Sequence, residues 1–343
     1  MQRRGSFGDG GADSMDADLA AIMPCADGIV RVTRLSDGRH RICVEPKPGI
    51  PLARSIWETS YPLALIREMH AAKGLYVCDE IMREEDPRYV EHLLRHEVLG
   101  YVDAADFAGR RILDFGCGSG ASTMVLARLL PPCEIVGIEL EDELLRIARL
   151  RAEHFGAHQV RFLRSPAPDA FPSNLGVFDF VLFSAVFEHL LPAERRALLP
   201  LIWRHLKPGG VLFLNQTPHR WAPVETHTTG LPLINYLPDR LALRVARRFS
   251  ARAKPDDDWE KLLREGIRGG TVREILRILA QDGSPVLLEP RKHVGDRIDL
   301  WYGKLSSRHA WLKWSVWASL KLLKATTGAV LTPELSLAIR KQA

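Results

Sequence analysis

The stretch Ile112-Leu113-Asp114-Phe115-Gly116-Cys117-Gly118-Ser119-Gly120 decides the fold of this chain. Its apolar start predicts a short buried strand, and a helical pattern over residues 122–130 follows the glycine-rich turn. Glycine has no Cβ, so the backbone of such a turn can approach a ligand closely. The free N–H groups at the start of the helix can then meet polar atoms of that ligand. The stretch therefore predicts a nucleotide-binding turn between a strand and a helix.

Strand and helix patterns alternate along the chain after this turn. Strands that alternate with helices predict a parallel sheet, and right-handed crossovers place the carboxyl ends of its strands along one edge, where ligands bind. We therefore predict an α/β fold with a doubly wound, mostly parallel, Rossmann-like sheet. A helical insertion precedes two closing strands at 285–290 and 334–341. The other predicted strands cover residues 111–115, 134–139, 160–163, 178–184 and 211–215, and the helices between them cover 122–130, 142–155 and 193–206.

The region before the turn has a different pattern. Residues 28–35 and 40–45 predict two strands rich in Val, Ile and Thr, joined by a Ser-Asp-Gly-Arg turn. Helical patterns follow at about 62–73 and 87–101. Residues 1–17, rich in Gly, Asp and Ser, predict a disordered tail. These patterns divide the chain into the tail, an N-terminal accessory region of hairpin plus helices at 18–105, and a main domain at 106–343.

The composition of the 343 residues is typical of a globular protein, with 46% hydrophobic and 26% charged residues. No run reaches the roughly 18 apolar residues of a membrane span, and the N-terminus lacks the apolar core of a secretory signal. Five cysteines without metal-ligand spacing fit a reducing compartment, so we predict a cytoplasmic protein. The net charge of +5 comes without a dense basic block, so it does not indicate a nucleic-acid partner.

Two classes of nucleotide-binding enzyme use a glycine turn of this kind. The run from Gly116 to Ala121 also satisfies the looser dinucleotide pattern G-x-G-x-x-A of dehydrogenases. Asp114, two residues before the first glycine, stands where a dehydrogenase strand normally remains apolar. Glu139, at the end of the second predicted strand, is suited to hold both ribose hydroxyls of either nucleotide. The later strands must therefore separate the two classes.

These later strands resemble the class I S-adenosylmethionine-dependent methyltransferases in order and spacing, from about Arg110 to Pro218. The glycine stretch resembles the family's donor-binding turn, and residues 178–184 resemble its fourth strand. Val186-Phe187-Glu188-His189-Leu190 resembles the start of the following helix, and residues 206–212 resemble the turn into the fifth strand. The resemblance implies methyl transfer from S-adenosyl-L-methionine. Base-methylating enzymes are not indicated, because no Asn-Pro-Pro motif follows the fourth strand.

The resemblance also implies which residues bind the donor. Asp114 would orient the loop and approach the methionine amino group, and Glu139 would hold the ribose. The family's adenine-contacting acid is missing, since Pro166 stands near its place, so Ser165 or the backbone of Ala167 would take over that contact. The full predicted set is Asp114, Phe115, Gly116, Cys117, Gly118, Gly120, Glu139, Leu140, Ser165, Ala167 and Ser184.

The loop after the fifth strand opens an insertion at about 217–283, which we expect to bind the methyl acceptor. It leaves the ligand edge of the predicted sheet and carries His219 and His227. Removal of the proton from a hydroxyl acceptor is a task to which histidine is suited. We predict His219, His227 and His189 as candidate catalytic residues, and we predict no metal. Metal binding by His219, Glu225 and His227 is the alternative, although their spacing alone makes no coordination site.

The extended loop resembles a subgroup of methyltransferases that is associated with cell-envelope glycans. By that analogy we predict a hydroxyl of a sugar, glycan or other polar small molecule as the acceptor. A lipid, quinone or phenol is a second hypothesis, and a non-catalytic nucleotide-binding protein with the same fold is a third. The tryptophan-rich, basic pattern at 307–326 predicts an amphipathic helix that either packs on the sheet or makes a peripheral membrane contact. The sequence indicates no oligomeric state.

Overall fold

The computed structural model describes residues 18–167, 170–291, 293–305 and 310–342. The chain divides into two compact units, residues 1–85 and 86–343. Residues 86–105, which the sequence patterns placed in the accessory region, belong to the second unit. The boundary therefore lies after residue 85 and not after residue 105. The predicted tail, residues 1–17, lies outside the described residues.

The first unit contains a four-stranded antiparallel sheet, whose strands lie side by side in chain order, and two helices. The predicted hairpin is formed by its two middle strands. The outer strands were not predicted, because the first pairs through an irregularity after Leu19 and the last has only four residues. The elements are β1 (Asp18–Cys25), β2 (Gly28–Arg34), β3 (His40–Pro46), β4 (Ile56–Thr59), α1 (Leu63–Lys73) and α2 (Val77–Glu85).

The second unit is built on a seven-stranded sheet. Its strands are β5 (Arg111–Phe115), β6 (Glu134–Glu139), β7 (Val160–Arg164), β8 (Phe178–Ser184), β9 (Leu206–Pro218), β10 (Pro285–Leu287) and β11 (Glu334–Lys341). They lie in the order β10-β11-β9-β8-β5-β6-β7. The strands from β5 to β9 pair in parallel, and β11 runs antiparallel to β9 and β10. This confirms the predicted doubly wound, mostly parallel sheet. The chain crosses to the other side of β5 between β7 and β8, so a crevice is expected beyond the carboxyl ends of β5 and β8.

Helices accompany this sheet in the order that the sequence predicts. The helix predicted at 87–101 is shorter than expected, because the π-helical turn Pro87–Glu91 has non-helical backbone at Tyr89. The insertion before the last strands is helical, as predicted. The helices of the second unit are α3 (His92–Glu97), α4 (Ala121–Leu129), α5 (Asp142–His154), α6 (Pro192–His205), α7 (Asp239–Phe249), α8 (Trp259–Arg264), α9 (Val272–Leu279), α10 (Arg297–Lys304) and α11 (Ala310–Thr327).

Alternate residues of the central strands pack into different hydrophobic clusters. On β5, Ile112 belongs to a cluster with residues of α4 and α5, and Leu113 belongs to one with residues of α6 and α9. Both side chains are fully buried. Burial on both faces explains why these strands read as nearly continuous apolar runs. Polar side chains such as Glu139 and Ser184 emerge at the strand ends, where the crevice lies.

The helix α11 has an exposed apolar side. It begins at Ala310, and residues 307–309 of the predicted helix lie outside the described residues. Two of its lysines form ion pairs with Asp296, just before α10. Among the described residues, no helix is long and apolar enough to cross a membrane. The large apolar side chains that α11 exposes most are Trp311, Trp314 and Leu322.

Candidate functional site

The glycine turn leaves the carboxyl end of β5. Gly116 has a φ of +72°, and a Cβ at this position would lie 2.6 Å from Cγ2 of Val186. Both the backbone conformation and this neighbour therefore exclude a side chain at Gly116. The N–H groups of Gly116 and Cys117 donate to the carbonyl of Ile138, which joins the turn to β6. These two hydrogen bonds fix the glycine turn against β6.

Glu139, at the tip of β6, is held by three backbone N–H groups. Its Oε2 accepts from the N–H of Gly118 at 2.9 Å, and its Oε1 accepts from those of Leu140 at 2.6 Å and Glu141 at 3.2 Å. A carboxylate oxygen can accept more than one hydrogen bond, so both oxygens retain capacity for a ligand. The carboxylate thereby links the glycine turn to the adjoining strand.

A cavity of about 450 Å³ opens at these strand ends, and its size is within the range of small-molecule sites. We call it the turn cavity. Val186 and His189, which follow β8, also line it. Five of the predicted donor-binding residues form part of its wall: Phe115, Gly116, Glu139, Leu140 and Ser165. The structure therefore brings the predicted ribose acid and the first glycine of the turn to one space.

Other predicted donor-binding residues lie behind this wall. Asp114 is buried and accepts a hydrogen bond from Oγ1 of Thr123 at 2.7 Å, and its burial raises its pKa to about 6. Burial also raises the pKa of the Cys117 thiol well above its ordinary value, which suits a small packed side chain rather than a reactive one. In the part of the chain that the structure describes, the turn cavity is not lined by Asp114, Cys117, Gly118, Gly120, Ala167 or Ser184. Their contact with the donor stays a prediction.

Ser165 lines the turn cavity, but its hydroxyl is directed into its own loop. Its Oγ lies 2.9 Å from the carbonyl oxygen of Ala167 and 2.7 Å from that of Ala170. One hydroxyl proton can serve only one of these acceptors at a time. Both acceptors belong to the loop of Ser165 itself, so the hydroxyl proton is engaged within the protein. The adenine contact that we predict for Ser165 or Ala167 stays a prediction.

A second cavity, of about 650 Å³, adjoins the first and contains residues of the loop after β9. We call it the loop cavity. Ala185, directly after β8, lines both cavities. Ala185 has a φ of +55°, and Gln216 near the end of β9 has a φ of +62°. Non-glycine residues adopt this conformation rarely, and such residues cluster at functional sites. The two strand ends therefore mark the meeting point of the cavities as a candidate active site.

Glu188, His189 and His227 meet where the two cavities adjoin. Glu188 and His227 line the loop cavity, and His189 lines the turn cavity. The Nδ1 atom of His189 lies 2.6 Å from the carbonyl oxygen of Arg264, and that of His227 lies 2.8 Å from the carbonyl oxygen of Glu265. A carbonyl only accepts, so each Nδ1 carries a proton, and in the neutral ring each Nε2 has a free lone pair.

Glu188 is the buried member of this cluster. Its Oε2 accepts a hydrogen bond from Oγ1 of Thr217 at 3.0 Å. Its Oε1 is buried, lies 3.8 Å from Nε2 of His189, and has no hydrogen-bond partner among the described residues. Burial raises the pKa of Glu188, because the charged form loses its water. A buried carboxylate with one free oxygen therefore lies beside two imidazole rings.

His219, another predicted catalytic residue, does not join the cluster. It is buried, and its Nδ1 accepts a hydrogen bond from the N–H of Trp221 at 3.1 Å. A neutral ring with this hydrogen bond carries its proton on Nε2 and has no free lone pair. We therefore do not assign the role of base to His219.

Glu225, which the alternative metal hypothesis included, organises the loop instead. Its Oε1 accepts from the N–H groups of His227 and Thr228, and its Oε2 accepts from the N–H and the hydroxyl of Thr229. Both oxygens are used, and Glu225 is buried. The function of this carboxylate is to position the backbone that carries His227.

A third cavity, of about 400 Å³, lies next to the loop cavity and shares Val316 and Pro333 with it. We call it the apolar chamber. Part of its wall comes from α11, and the rest comes from the loop after β9 and the segment before β11. Its side chains are mostly apolar and include Trp221, Ala222, Pro223, Leu320, Leu323 and Leu331. Trp221, from the loop after β9, is the largest of these side chains.

Similarity to known proteins agrees with this arrangement. A family model described as a methyltransferase domain matches residues 112–210. The trans-aconitate 2-methyltransferase of Azoarcus sp. (strain BH72) is 30% identical over 196 residues, which are 52% of this chain and 74% of that protein.

This chain belongs to the class I S-adenosylmethionine-dependent methyltransferase family. A second relative is the ubiquinone biosynthesis O-methyltransferase of Xanthomonas oryzae pv. oryzae (strain PXO99A), which is 35% identical over 142 residues. The match covers 40% of this methyltransferase and 57% of that relative, so it spans little more than half of the relative's length.

Two solved structures show weaker similarity to this methyltransferase. The [4+2]-cyclase SpnF has 19% identity and a TM-score of 0.40, with coverage of 74% of this chain and 80% of that one. The glycopeptide N-methyltransferase MtfA, complexed with S-adenosylmethionine, has 23% identity and a TM-score of 0.30, with coverage of 33% and 50%.

Sequence reasoning did not include Glu188 among the candidate functional residues of this chain. Its signal was the Glu-His pair that follows the fourth parallel strand, which a favourable charge at a helix start also explains. The structure adds that Glu188 is buried and that His227, from a distant loop, closes on the same point. Neither fact is visible in the spacing of the sequence.

Proposed function

We propose that this methyltransferase transfers the methyl group of S-adenosyl-L-methionine to a hydroxyl of a sugar, a lipid-linked glycan or another polar molecule. The observation that carries the proposal is the meeting of the turn cavity and the loop cavity at Ala185. A donor in the first cavity and an acceptor in the second are in reach of one another at this point. Such positioning is the main requirement for transfer from a donor that is already reactive.

The turn cavity fits a sulfonium nucleoside. S-adenosylmethionine supplies a methyl group that is activated by its positively charged sulfur. Gly116 lets the backbone approach the bound molecule, because no side chain intervenes. The two oxygens of Glu139 are fixed by backbone N–H groups and can accept hydrogen bonds from a pair of vicinal hydroxyls. Phe115 and Leu140 add apolar surface to the same wall.

The loop cavity fits a hydroxyl acceptor. His227 lies at its wall, and the Nε2 lone pair of the ring can accept a hydrogen bond from the hydroxyl. Glu334 and Gln216 line the same cavity and offer further polar contacts to a molecule with several hydroxyls. His189 lines the turn cavity, so it marks the side from which the methyl group arrives. His227 and His189 thus remain the candidates for contact with the reacting oxygen.

The apolar chamber favours a second candidate function. It opens beside the loop cavity and has room for an apolar tail or ring. A lipid, quinone or phenol with its hydroxyl near His227 would place its apolar part there. One relative of this chain is a ubiquinone biosynthesis O-methyltransferase, which agrees with this second candidate. A lipid-linked glycan would use both spaces, with its sugar in the loop cavity.

Transfer of labelled methyl from S-adenosylmethionine tests the proposal. The purified chain is offered sugar nucleotides, lipid-linked glycans and apolar phenols. Label in either sugar class supports the proposal, label only in the phenols favours the second candidate, and failure to bind the donor in calorimetry contradicts both. Ser319→Phe, which fills the chamber, should raise KM about 10-fold for acceptors with an apolar tail relative to short polar ones.

A further inference from the structure

We propose that Glu188, His189 and His227 form a binding site for one divalent transition-metal ion of the Zn²⁺ type. Each residue offers one ligand atom, and the three atoms lie within 4.8 Å of one another. Two imidazole nitrogens and one carboxylate oxygen are a set that zinc enzymes use, with a further position left open. The site differs from the alternative weighed from the sequence, because it excludes His219 and Glu225.

The spacing of the ligand atoms is close to that of a metal site. Bonds from zinc to nitrogen and oxygen are about 2.0–2.2 Å long, which places neighbouring ligand atoms roughly 3–3.5 Å apart. Oε1 of Glu188 and Nε2 of His189 lie 3.8 Å apart. A shift of well under one ångström would therefore bring this pair to coordination distance.

The free oxygen of Glu188 points to a missing ligand. Oε1 is buried and has no partner in the part of the chain that the structure describes, whereas Oε2 is bonded to Thr217. A buried carboxylate oxygen without a partner is costly, since it has lost its water and gained nothing in return. A bound cation at this point would remove that cost.

The two imidazoles are oriented as metal ligands are. Each donates its Nδ1 proton to a backbone carbonyl, His189 to that of Arg264 and His227 to that of Glu265. Metal-binding histidines almost always have such a partner, because it fixes the tautomer and leaves the other nitrogen free for the metal. The two carbonyls belong to consecutive residues at the end of α8, so one short segment orients both rings.

The surrounding backbone is shaped around the cluster. Gly266 has a φ of +96°, and a Cβ there would lie 2.8 Å from Nδ1 of His227 and 3.3 Å from Cγ of Glu188. Only glycine leaves the room that the ring and the carboxylate need. On the other side, Glu225 holds the N–H of His227 at 2.7 Å. The position of His227 is therefore determined from both sides before any ion arrives.

An ion at this point would face the loop cavity, which Glu188 and His227 line. This part of the inference rests on the proposed function. An acceptor hydroxyl in the open coordination position would bind the metal through its oxygen. The metal, in place of the Nε2 lone pair of His227, would then contact the hydroxyl and make loss of its proton to solvent easier. The oxygen that remains carries the electron pair that forms the new bond to the methyl carbon. The bond from that carbon to sulfur breaks, and its electron pair stays on the sulfur.

Metal binding by the purified chain tests the site without any acceptor. Titration of the metal-free protein with ZnCl₂ in a calorimeter should show one strong site. Glu188→Gln, His189→Ala and His227→Ala should each weaken that site about 100-fold or more, and the exposed-histidine control His158→Ala should not. Cobalt(II) should give a visible absorption band of a low-coordinate site in the parent and lose it in the three variants.

Two results would overturn the proposal. One is a parent chain that binds no Zn²⁺ or Co²⁺ above the level of nonspecific association. The other is a Glu188→Gln variant that folds, as judged by thermal melting, and binds zinc as the parent does. Titration of the same samples with S-adenosylmethionine distinguishes failure of the metal site from failure of the proposed function. Donor binding without metal binding contradicts the metal site alone.

Discussion

The turn cavity and the loop cavity lie side by side but are built in different ways. The turn cavity is made by the ends of parallel strands and by backbone groups, with Glu139 held by the N–H groups around it. The loop cavity collects side chains from the insertion, α11 and the start of β11, together with Glu188, a buried carboxylate with a free oxygen that follows β8. The parallel sheet thus supplies the turn cavity, whereas the loop cavity combines two strand ends with later additions to the chain.

This difference predicts that substitutions in the cluster of Glu188, His189 and His227 lower kcat and leave the affinity for the donor nearly unchanged. Glu188→Gln and His227→Ala should lower kcat about 100- to 1000-fold, the size of effect expected when a group that handles the reacting hydroxyl is lost. Their affinity for S-adenosylhomocysteine should change less than about threefold, because neither side chain lines the turn cavity as described. Initial rates and calorimetry check this.

The control for that prediction is His158→Ala, an exposed histidine, which should retain the parent rate. Loss of donor affinity in Glu188→Gln equal to its loss of rate would show that the two cavities are not separate functional parts.

The buried carboxyl behind the glycine turn gives a pH-dependent effect. The pKa of Asp114 is about 6 in the folded chain, against 3.8 for an ordinary aspartate. The folded state therefore holds this proton more tightly, so the contribution of Asp114 to stability falls as the pH rises from about 4 through 6. The full change is about 3 kcal/mol, since one pKa unit corresponds to about 1.4 kcal/mol.

The side-chain amide of Asp114→Asn cannot ionise. The free energy of unfolding of this variant, minus that of the parent, should therefore increase by about 3 kcal/mol between pH 4 and pH 7. Thermal or urea unfolding at several pH values measures the difference. A parent and variant whose melting temperatures run parallel across this range would contradict the raised pKa.

Gly266→Ala tests how closely the loop side is packed. The new methyl would press on His227 and Glu188, so we expect a loss of about 1–3 kcal/mol in stability and a fall of at least tenfold in kcat. Donor affinity should remain near that of the parent. The matched control is Gly209→Ala, where φ is +79° but no atom lies within 4 Å of the added carbon.

That control shares the backbone strain and lacks the clash, so it should lose stability but little activity. Equal losses of activity in the two variants would mean that strain, and not displacement of His227, is responsible.

The smallest effect concerns the exposed side of α11, through which we propose a peripheral membrane contact. Replacement of Trp311 and Trp314 by Ala should reduce cosedimentation with anionic liposomes roughly tenfold. Two lysines of this helix are already paired with Asp296, so the aromatic side chains should dominate. Leu241→Ala, an exposed apolar residue on α7, is the control. A parent chain that stays in the supernatant would leave α11 without a membrane function.

Sequence alone predicts that the glycine turn and Glu139 lie together, because this neighbourhood is local. The turn, the preceding strand and the helix are contiguous, and Glu139 follows at the next strand end, so spacing defines their neighbourhood. The mostly parallel pairing of the sheet follows from the same alternation of strands and helices. Strands with weak patterns, such as the irregularly paired β1 and the four-residue β4, escape this reasoning because tertiary pairing rather than local preference stabilises them.

The acceptor side is less predictable because its residues are distant in sequence. His219 and His227 look equivalent in the loop, yet one accepts a hydrogen bond from the backbone and the other offers a free lone pair to the cluster. Glu225 looks like a ligand and is a support for the loop, whereas Glu188 looks like a helix-start acid and is buried in the cluster. Only the packing of the insertion against the strand ends separates these functions.

Donor binding by Glu139 variants is the most direct test of whether the glycine turn and Glu139 hold S-adenosylmethionine. Calorimetry of the parent should show one site for S-adenosylmethionine and much weaker binding of NAD. Glu139→Ala should weaken S-adenosylmethionine binding about 100-fold, since it removes an acceptor for two hydroxyls and the anchor of the turn, and the exposed Glu143→Ala should not. Tighter binding of NAD, or a Glu139→Ala variant with the affinity of the parent, would contradict the account.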